Sequence, residues 1–553
     1  MNELIIKEEF SSESLQSFFF LICKYMMLFT FVLVIYIMSL ASQAFGGSNS
    51  QTEVTKIKLL KLPYPFRAAL TVCSDTHAAP VETFEAVHAL INSRNYIKRD
   101  SEKWLRLFSD PEIDKNPAWR DGIDGFGLPI SDTMWLYDPA IGVFESNDEE
   151  AGQPIPHMHN GRDFREIIDD WLQRGWVDAL HTPGEWHISR EATATGLKWL
   201  QERPHRHLKV WINHAYKATP TCVGPERPRP MLKNVLKLST AALCSVGLES
   251  LVRKIILSPR PILVPLGQRQ TFWLLAILFY SSALWLFFCL IMKRLRRRKN
   301  FIIGTIILLS VAVVLQLTHL QYLQGDNPKS PYYHADLIRE FGIRYFWLIH
   351  SQPGYDTHVA GTLVLPEQAI LGRPSILRVV SLDDGSRIMA FGRVWKKSQN
   401  AYGSLELLTA DALENLCDRQ GTSIIYTHWT QEPKKVFTAR ALRGLAHLRR
   451  FYEAGQVWVA PTSRIIHFTF IRAYLEYKVR RENGRTVIEI VQVNNPSGKP
   501  FVPTLEDLRG ISFECPLNEP TEVRVGEKQL EEGTLESFTR GDRVVLRFPL
   551  EDG

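Results

Sequence analysis

Five strand-like runs of this chain end on side chains able to ligate a metal or move a proton. Ala68 to Cys73 runs into Ser74, Asp75, Thr76 and His77, and later runs end at His181, His214, His350 and His428. A neutral imidazole with a pKa near ~6.5 donates or accepts a proton close to neutral pH and is also a common metal ligand. One strand-end histidine is usually structural. Repetition at equivalent places points instead to a shared site. Trp186 and Trp429 lie close to two of these ends, where an aromatic face could stack on a sugar ring; among 14 tryptophans some such proximity arises by chance.

The elements that must position these residues are short β-rich runs alternating with helical stretches. The runs are 68–73, 128–136, 176–180, 208–213, 343–349, 423–427 and 456–460. Helix-like segments such as ArgAspPheArgGluIleIleAspAspTrpLeu (162–172) and AlaLeuArgGlyLeuAlaHisLeuArgArgPheTyr (441–452) lie between several of them. This alternation predicts parallel strands with crossover helices, and its seven runs a barrel, whose catalytic groups would gather at the carboxyl ends of the strands. After about residue 465 the pattern changes. A hairpin turning at Asn483 and Gly484, followed by short alternating segments, predicts a C-terminal β-sandwich over 466–553.

Composition is ordinary for a globular chain, 45% hydrophobic and 22% charged, but its average hides two uncharged runs. Residues 272–292 and 301–317 are 21 and 17 residues long, about 26 to 32 Å as helices. They flank LysArgLeuArgArgArgLys at 293–299. A short loop this basic favours the cytoplasmic side, which predicts a multi-pass inner-membrane protein with both soluble halves extracytoplasmic, or periplasmic. The loop's six charges account for the whole net charge of +6, so nothing favours nucleic acid as a partner. A further apolar run at 25–41 reads as an anchor or a signal peptide, with SerGlnAla at 42–44 offering small residues for cleavage. The organisation expected is an N-terminal membrane segment (1–45), a first half-barrel (46–225), a membrane insertion (226–325), a second half-barrel (326–465) and the sandwich. Seven cysteines with no CxxC spacing predict neither a disulfide framework nor a cysteine metal site.

At AlaLeuThrValCysSerAspThrHis (69–77) and GlyTrpValAspAlaLeuHisThrProGlyGlu (175–185), the chain resembles the polysaccharide deacetylase superfamily. That resemblance covers roughly 66–220 and 327–465 and implies a distorted (β/α)7-type barrel holding a divalent metal, commonly zinc. Carried over by position, Asp75 and His181 would be metal ligands. Glu185 stands where the family has its second histidine, and a carboxylate is a legitimate zinc ligand. Ser74 replaces the first of the family's paired aspartates, leaving the general base open, with His77 a candidate as base or further ligand. His428 matches the late histidine that serves as general acid.

The activity implied is a metal-dependent hydrolase cleaving amide bonds of a glycan. A membrane insertion within a βα loop would turn the strand ends toward the bilayer and suggests a lipid-linked or exported saccharide. A glycoside hydrolase is a second reading, with Asp75 and Glu185 as its carboxylate pair. A glycan-binding or assembly protein that has lost the reaction is a third. His157 and His159 have a chelating HisxHis spacing but read as an exposed loop, and LeuAspAspGly at 382–385 reads as a hairpin turn rather than a second aspartate motif.

Overall fold

The computed structural model describes residues 57–75, 80–108, 110–137, 142–144, 158–184, 188–203, 208–213, 325–347, 356–358, 363, 376–395, 401–427 and 437–550. Its parallel strands include β1 (Ala68–Ser74), β2 (Asp132–Tyr137), β3 (Val177–His181), β4 (Val210–Ile212), β5 (Tyr345–Trp347), β6 (Arg387–Phe391), β7 (Arg393–Trp395), β8 (Thr422–Thr427) and β9 (Val457–Val459). β1 reads AlaAlaLeuThrValCysSer and is buried throughout, the continuous apolar character of a strand covered on both faces.

Among the described residues the α-helices of seven or more residues are α1 (Val81–Ile91), α2 (Phe164–Gln173), α3 (Arg190–Gln201), α4 (Ala335–Phe341), α5 (Ala410–Asp418), α6 (Ala439–Glu453) and α7 (Thr462–Tyr474). In α2, Phe164, Ile167, Ile168, Trp171 and Leu172 recur at helical spacing on one buried face, and Asp163 caps the start by accepting the Arg165 N–H. Thr409 and Thr438 cap α5 and α6 in the same manner.

The strands divide between two sheets. One runs Leu377–Ser381, β6, β5, β4, β3, β2, Gly142–Phe144; the other runs Asp356–His358, β7, β8, β1, β9. The chain passes between them at Gly392, where β6 ends and β7 begins. β6 is parallel to β5 and antiparallel to Leu377–Ser381, so the segment expected to form only a local hairpin supplies a strand of the parallel layer. The LeuAspAspGly segment is the turn of that hairpin, with Gly385 at φ 82°, and Asp384 is held by Arg339, Ser386 and Tyr333.

Two expectations are corrected. The single barrel interrupted by a transmembrane hairpin is replaced by a mixed α/β structure of several sheets. Among the described residues no helix is long and apolar enough to cross a membrane, which overturns the multi-pass inner-membrane placement. The longest described helix, α6, has 15 residues, about 22 Å, against a hydrocarbon core of about 30 Å. The runs 25–41, 272–292 and 301–317 lie outside the described residues.

The C-terminal region opens with the hairpin of β10 (Leu475–Glu482) and β11 (Arg485–Val493), turning at Asn483 and Gly484, both at positive φ. A second sheet contains β12 (Ser512–Pro516), β13 (Glu536–Arg540) and β14 (Arg543–Arg547), with Lys58–Leu59 on its edge. These sheets share one buried cluster with the parallel layer: Ile488 and Phe513 belong with Tyr345, Met389, Ile465 and Trp458.

Candidate active site

The site lies at the carboxyl ends of the parallel strands and draws on both sheets. Asp75 follows β1, its N–H bonded to the Thr427 carbonyl at 3.0 Å, and Arg393 opens β7 directly after the switch at Gly392. Arg393 Nη1 donates to Asp75 Oδ1 at 2.5 Å and Nη2 to Oδ2 at 3.1 Å. Both residues are buried, Arg393 at 0% exposure. A bidentate guanidinium–carboxylate pair is the geometry that best offsets the desolvation of two charges.

The guanidinium also lies between two aromatic faces. Its carbon is 3.7 Å from the Trp347 ring centre and 4.3 Å from that of Tyr426, and the rings are within 8° of parallel. Burial alone would lower the Arg393 pKa, but attraction by Asp75 outweighs it and the group is raised, so it stays charged. Cys73 Sγ is 3.7 Å from Arg393 Nη1; burial pushes its thiol up to about 12, which keeps it protonated and unsuited to nucleophilic attack.

The seven-stranded sheet contributes His181, the last residue of β3, stacked on Trp135 of β2 at 3.9 Å and 8°. Its Nδ1 accepts the Thr182 N–H at 3.0 Å, which leaves the proton of the neutral ring on Nε2. Nε2 is 3.9 Å from Asp75 Oδ2, longer than a direct hydrogen bond. That separation is one a water or substrate oxygen about 2.8 Å from each would bridge.

The structure therefore brings Asp75 and His181 together from the residues singled out by sequence. His77, Glu185, Trp186, His214, His350, His428 and Trp429 lie outside the described residues, as does His157. His159 bonds Glu82 at 2.8 Å. Trp347 and Trp135 turn their faces to Arg393 and His181, which makes them packing partners of the site rather than open platforms for sugar.

Arg393 was missed by the sequence reading. Its signal is a charge in register with the inward-facing Met389 and Phe391 of an apolar strand, where a cation demands a buried counterion.

The residues in view do not fit a zinc centre. A ligating imidazole typically donates its second N–H to an acceptor, whereas His181 Nδ1 receives an N–H. Both oxygens of Asp75 are engaged by a cation that would repel a metal ion. Among the described residues no cluster of three or more His, Cys, Asp or Glu side chains is arranged to hold a metal.

Compared with known proteins, the chain matches no family model and no curated protein.

Proposed function

We propose that this protein is a deacetylase-like hydrolase that cleaves an acyl–nitrogen bond of a glycan, using an arginine-clamped aspartate and a histidine in place of a metal-held pair. The observation that carries this reading is the 3.9 Å approach of His181 Nε2 to Asp75 Oδ2 at the carboxyl ends of β3 and β1. A water between them would accept from the His181 N–H and donate to the carboxylate, which orients it and takes its proton as the oxygen bonds to the acyl carbon; collapse of that adduct breaks the C–N bond, and Asp75 returns the proton to the departing amine. Arg393 touches no substrate in this scheme. It holds the carboxylate in one orientation and, sandwiched by Trp347 and Tyr426, has little freedom to release it.

The test is acetate release from N-acetylated chito-oligosaccharides by the purified full chain, with and without a chelator. Loss of about a hundredfold or more in Asp75→Asn and His181→Gln, with activity surviving the chelator, is the expected pattern. Undiminished turnover in Asp75→Asn would sink the proposal.

One observation favours a second reading, a glycan-binding protein without turnover: both oxygens of Asp75 are already bonded to Arg393. Oligosaccharide binding that persists with no acetate release from the unaltered protein would select it.

A further inference from the structure

The outward face of α6 carries a line of basic side chains. Arg440, Arg443, His447 and Arg450 stand at i, i+3, i+7 and i+10, a spacing that keeps them within about 80° of arc and spreads them over about 15 Å of helix. The three arginines are exposed and His447 is half-buried, whereas Leu442, Leu445 and Leu448 belong to the buried face. α6 crosses over from the carboxyl end of β8 to the amino end of β9, and both strands pair in parallel with β1. Arg440 therefore stands toward the strand ends that carry Asp75, and Arg450 toward the opposite ends.

The acids of the neighbouring elements are engaged with other partners. Glu453 pairs with Arg449 at 3.0 Å and Arg94 at 2.8 Å, Glu414 and Asp418 of α5 both hold Arg67, at 3.0 and 2.7 Å, and Glu406 accepts from the Thr438 hydroxyl at 3.1 Å. No ion pair or side-chain hydrogen bond joins Arg440, Arg443 or Arg450 to any described residue. Like charges at helical spacing repel, so a helix that keeps them in line gains from a polyanion laid along it. The aromatic side chains of this helix, Phe451 and Tyr452, are half-buried and packed against the core, which leaves no exposed ring on which a nucleic-acid base could stack. Nor does the face expose a large aliphatic side chain to centre a protein interface.

We infer that this face of α6 is a binding track for an acidic glycan, whose anionic groups are taken by Arg440, Arg443 and Arg450. A guanidinium fork meets an anion bearing two oxygens with parallel N–H···O bonds, and a hydrated polymer needs no apolar centre to be held. The inference rests on the glycan reading for the kind of polymer but not on its hydrolysis, and it adds that the glycan bears negative charge.

The full chain titrated with polygalacturonate, dextran sulfate, neutral dextran and single-stranded DNA at matched ionic strength tests the track, read by calorimetry. Polygalacturonate or dextran sulfate should bind, and more weakly as salt is raised; the first alone identifies carboxylates as the groups held, and the second alone sulfate esters. Arg440→Gln, Arg443→Gln and Arg450→Gln made together should weaken that binding by at least about tenfold. Lys478→Gln, Lys499→Gln and Lys528→Gln together remove the same charge from exposed positions of the C-terminal region and should leave it unaltered. All six substitutions are at exposed side chains, and unchanged melting temperatures check that both variants keep the fold. The inference is overturned if neither acidic polymer binds beyond dextran, if DNA binds as tightly as they do, or if the two triple variants bind alike. Acetate release from neutral chito-oligosaccharide is measured separately, so failure of the hydrolytic proposal and failure of the track are told apart.

Discussion

Arg393 and Asp75 meet through two hydrogen bonds of 2.5 and 3.1 Å, a buried ion pair between residues 318 positions apart in sequence. It joins the first parallel strand to the strand that follows the switch between sheets, and every chemical statement about the site depends on it.

Breaking one side of the pair should cost far more than removing both. Arg393→Met leaves the Asp75 carboxylate buried without its partner and is expected to destabilise the fold by about 3 to 5 kcal/mol. Adding Asp75→Asn to it should recover part of that loss. Urea denaturation midpoints of the two variants measure the difference, and equal losses would show that the pair is not coupled.

Stability should fall as pH drops from about 6.5 to 4. His467 accepts the Tyr345 hydroxyl at Nδ1 (2.7 Å) and donates from Nε2 to Asp507, and burial lowers its pKa to about 4. His334, bonded to the Tyr332 carbonyl, is likewise lowered to about 4 by burial. Between these values and the unfolded pKa near ~6.5 the unfolded chain binds more protons, so stability rises with pH through this window and is lost as pH falls through it. Each histidine contributes about 3 kcal/mol to the change. Denaturation midpoints at pH 7 and pH 4.5 should differ less in His467→Gln than in the unaltered protein.

Native-state alkylation should spare Cys73, Cys417 and Cys515. All three are buried, and burial raises their thiols to about 12, 11 and 11. Iodoacetamide at pH 8 followed by peptide mass mapping should find them modified only after denaturation, because the thiolate is the reacting species. Rapid labelling of Cys73 in the folded protein would contradict the packing around Asp75.

Gly444 in α6 lies against the backbone of the 401–407 segment. A Cβ there would fall 2.3 Å from the Leu405 carbonyl oxygen, a backbone atom with no rotamer to change. Gly444→Ala therefore costs about 1 to 3 kcal/mol by overpacking, which outweighs the gain of up to about 1 kcal/mol in helix propensity. A thermal midpoint below that of the unaltered protein checks the sign.

Much of this protein was legible locally. The buried strand 68–74, the amphipathic spacing of 164–172, the AsnGly turn at 483–484 and the hairpin turn at 382–385 follow from side-chain period and turn chemistry, which act over a few residues. Asp75 and His181 were also marked by position, at the ends of strands whose order brings them together.

What the tertiary structure alone decided is which groups face them. The run 387–391 reads as one arm of a local hairpin, yet it also pairs in parallel with β5, and the break at Gly392 leads the chain into β7, which delivers Arg393 to Asp75. The tautomer of His181 depends on the path of the chain at Thr182. Periodicity records which face of a strand or helix is buried. It carries no record of which distant residue shares that burial, because that pairing is fixed by the packing of whole elements once the chain has closed on itself.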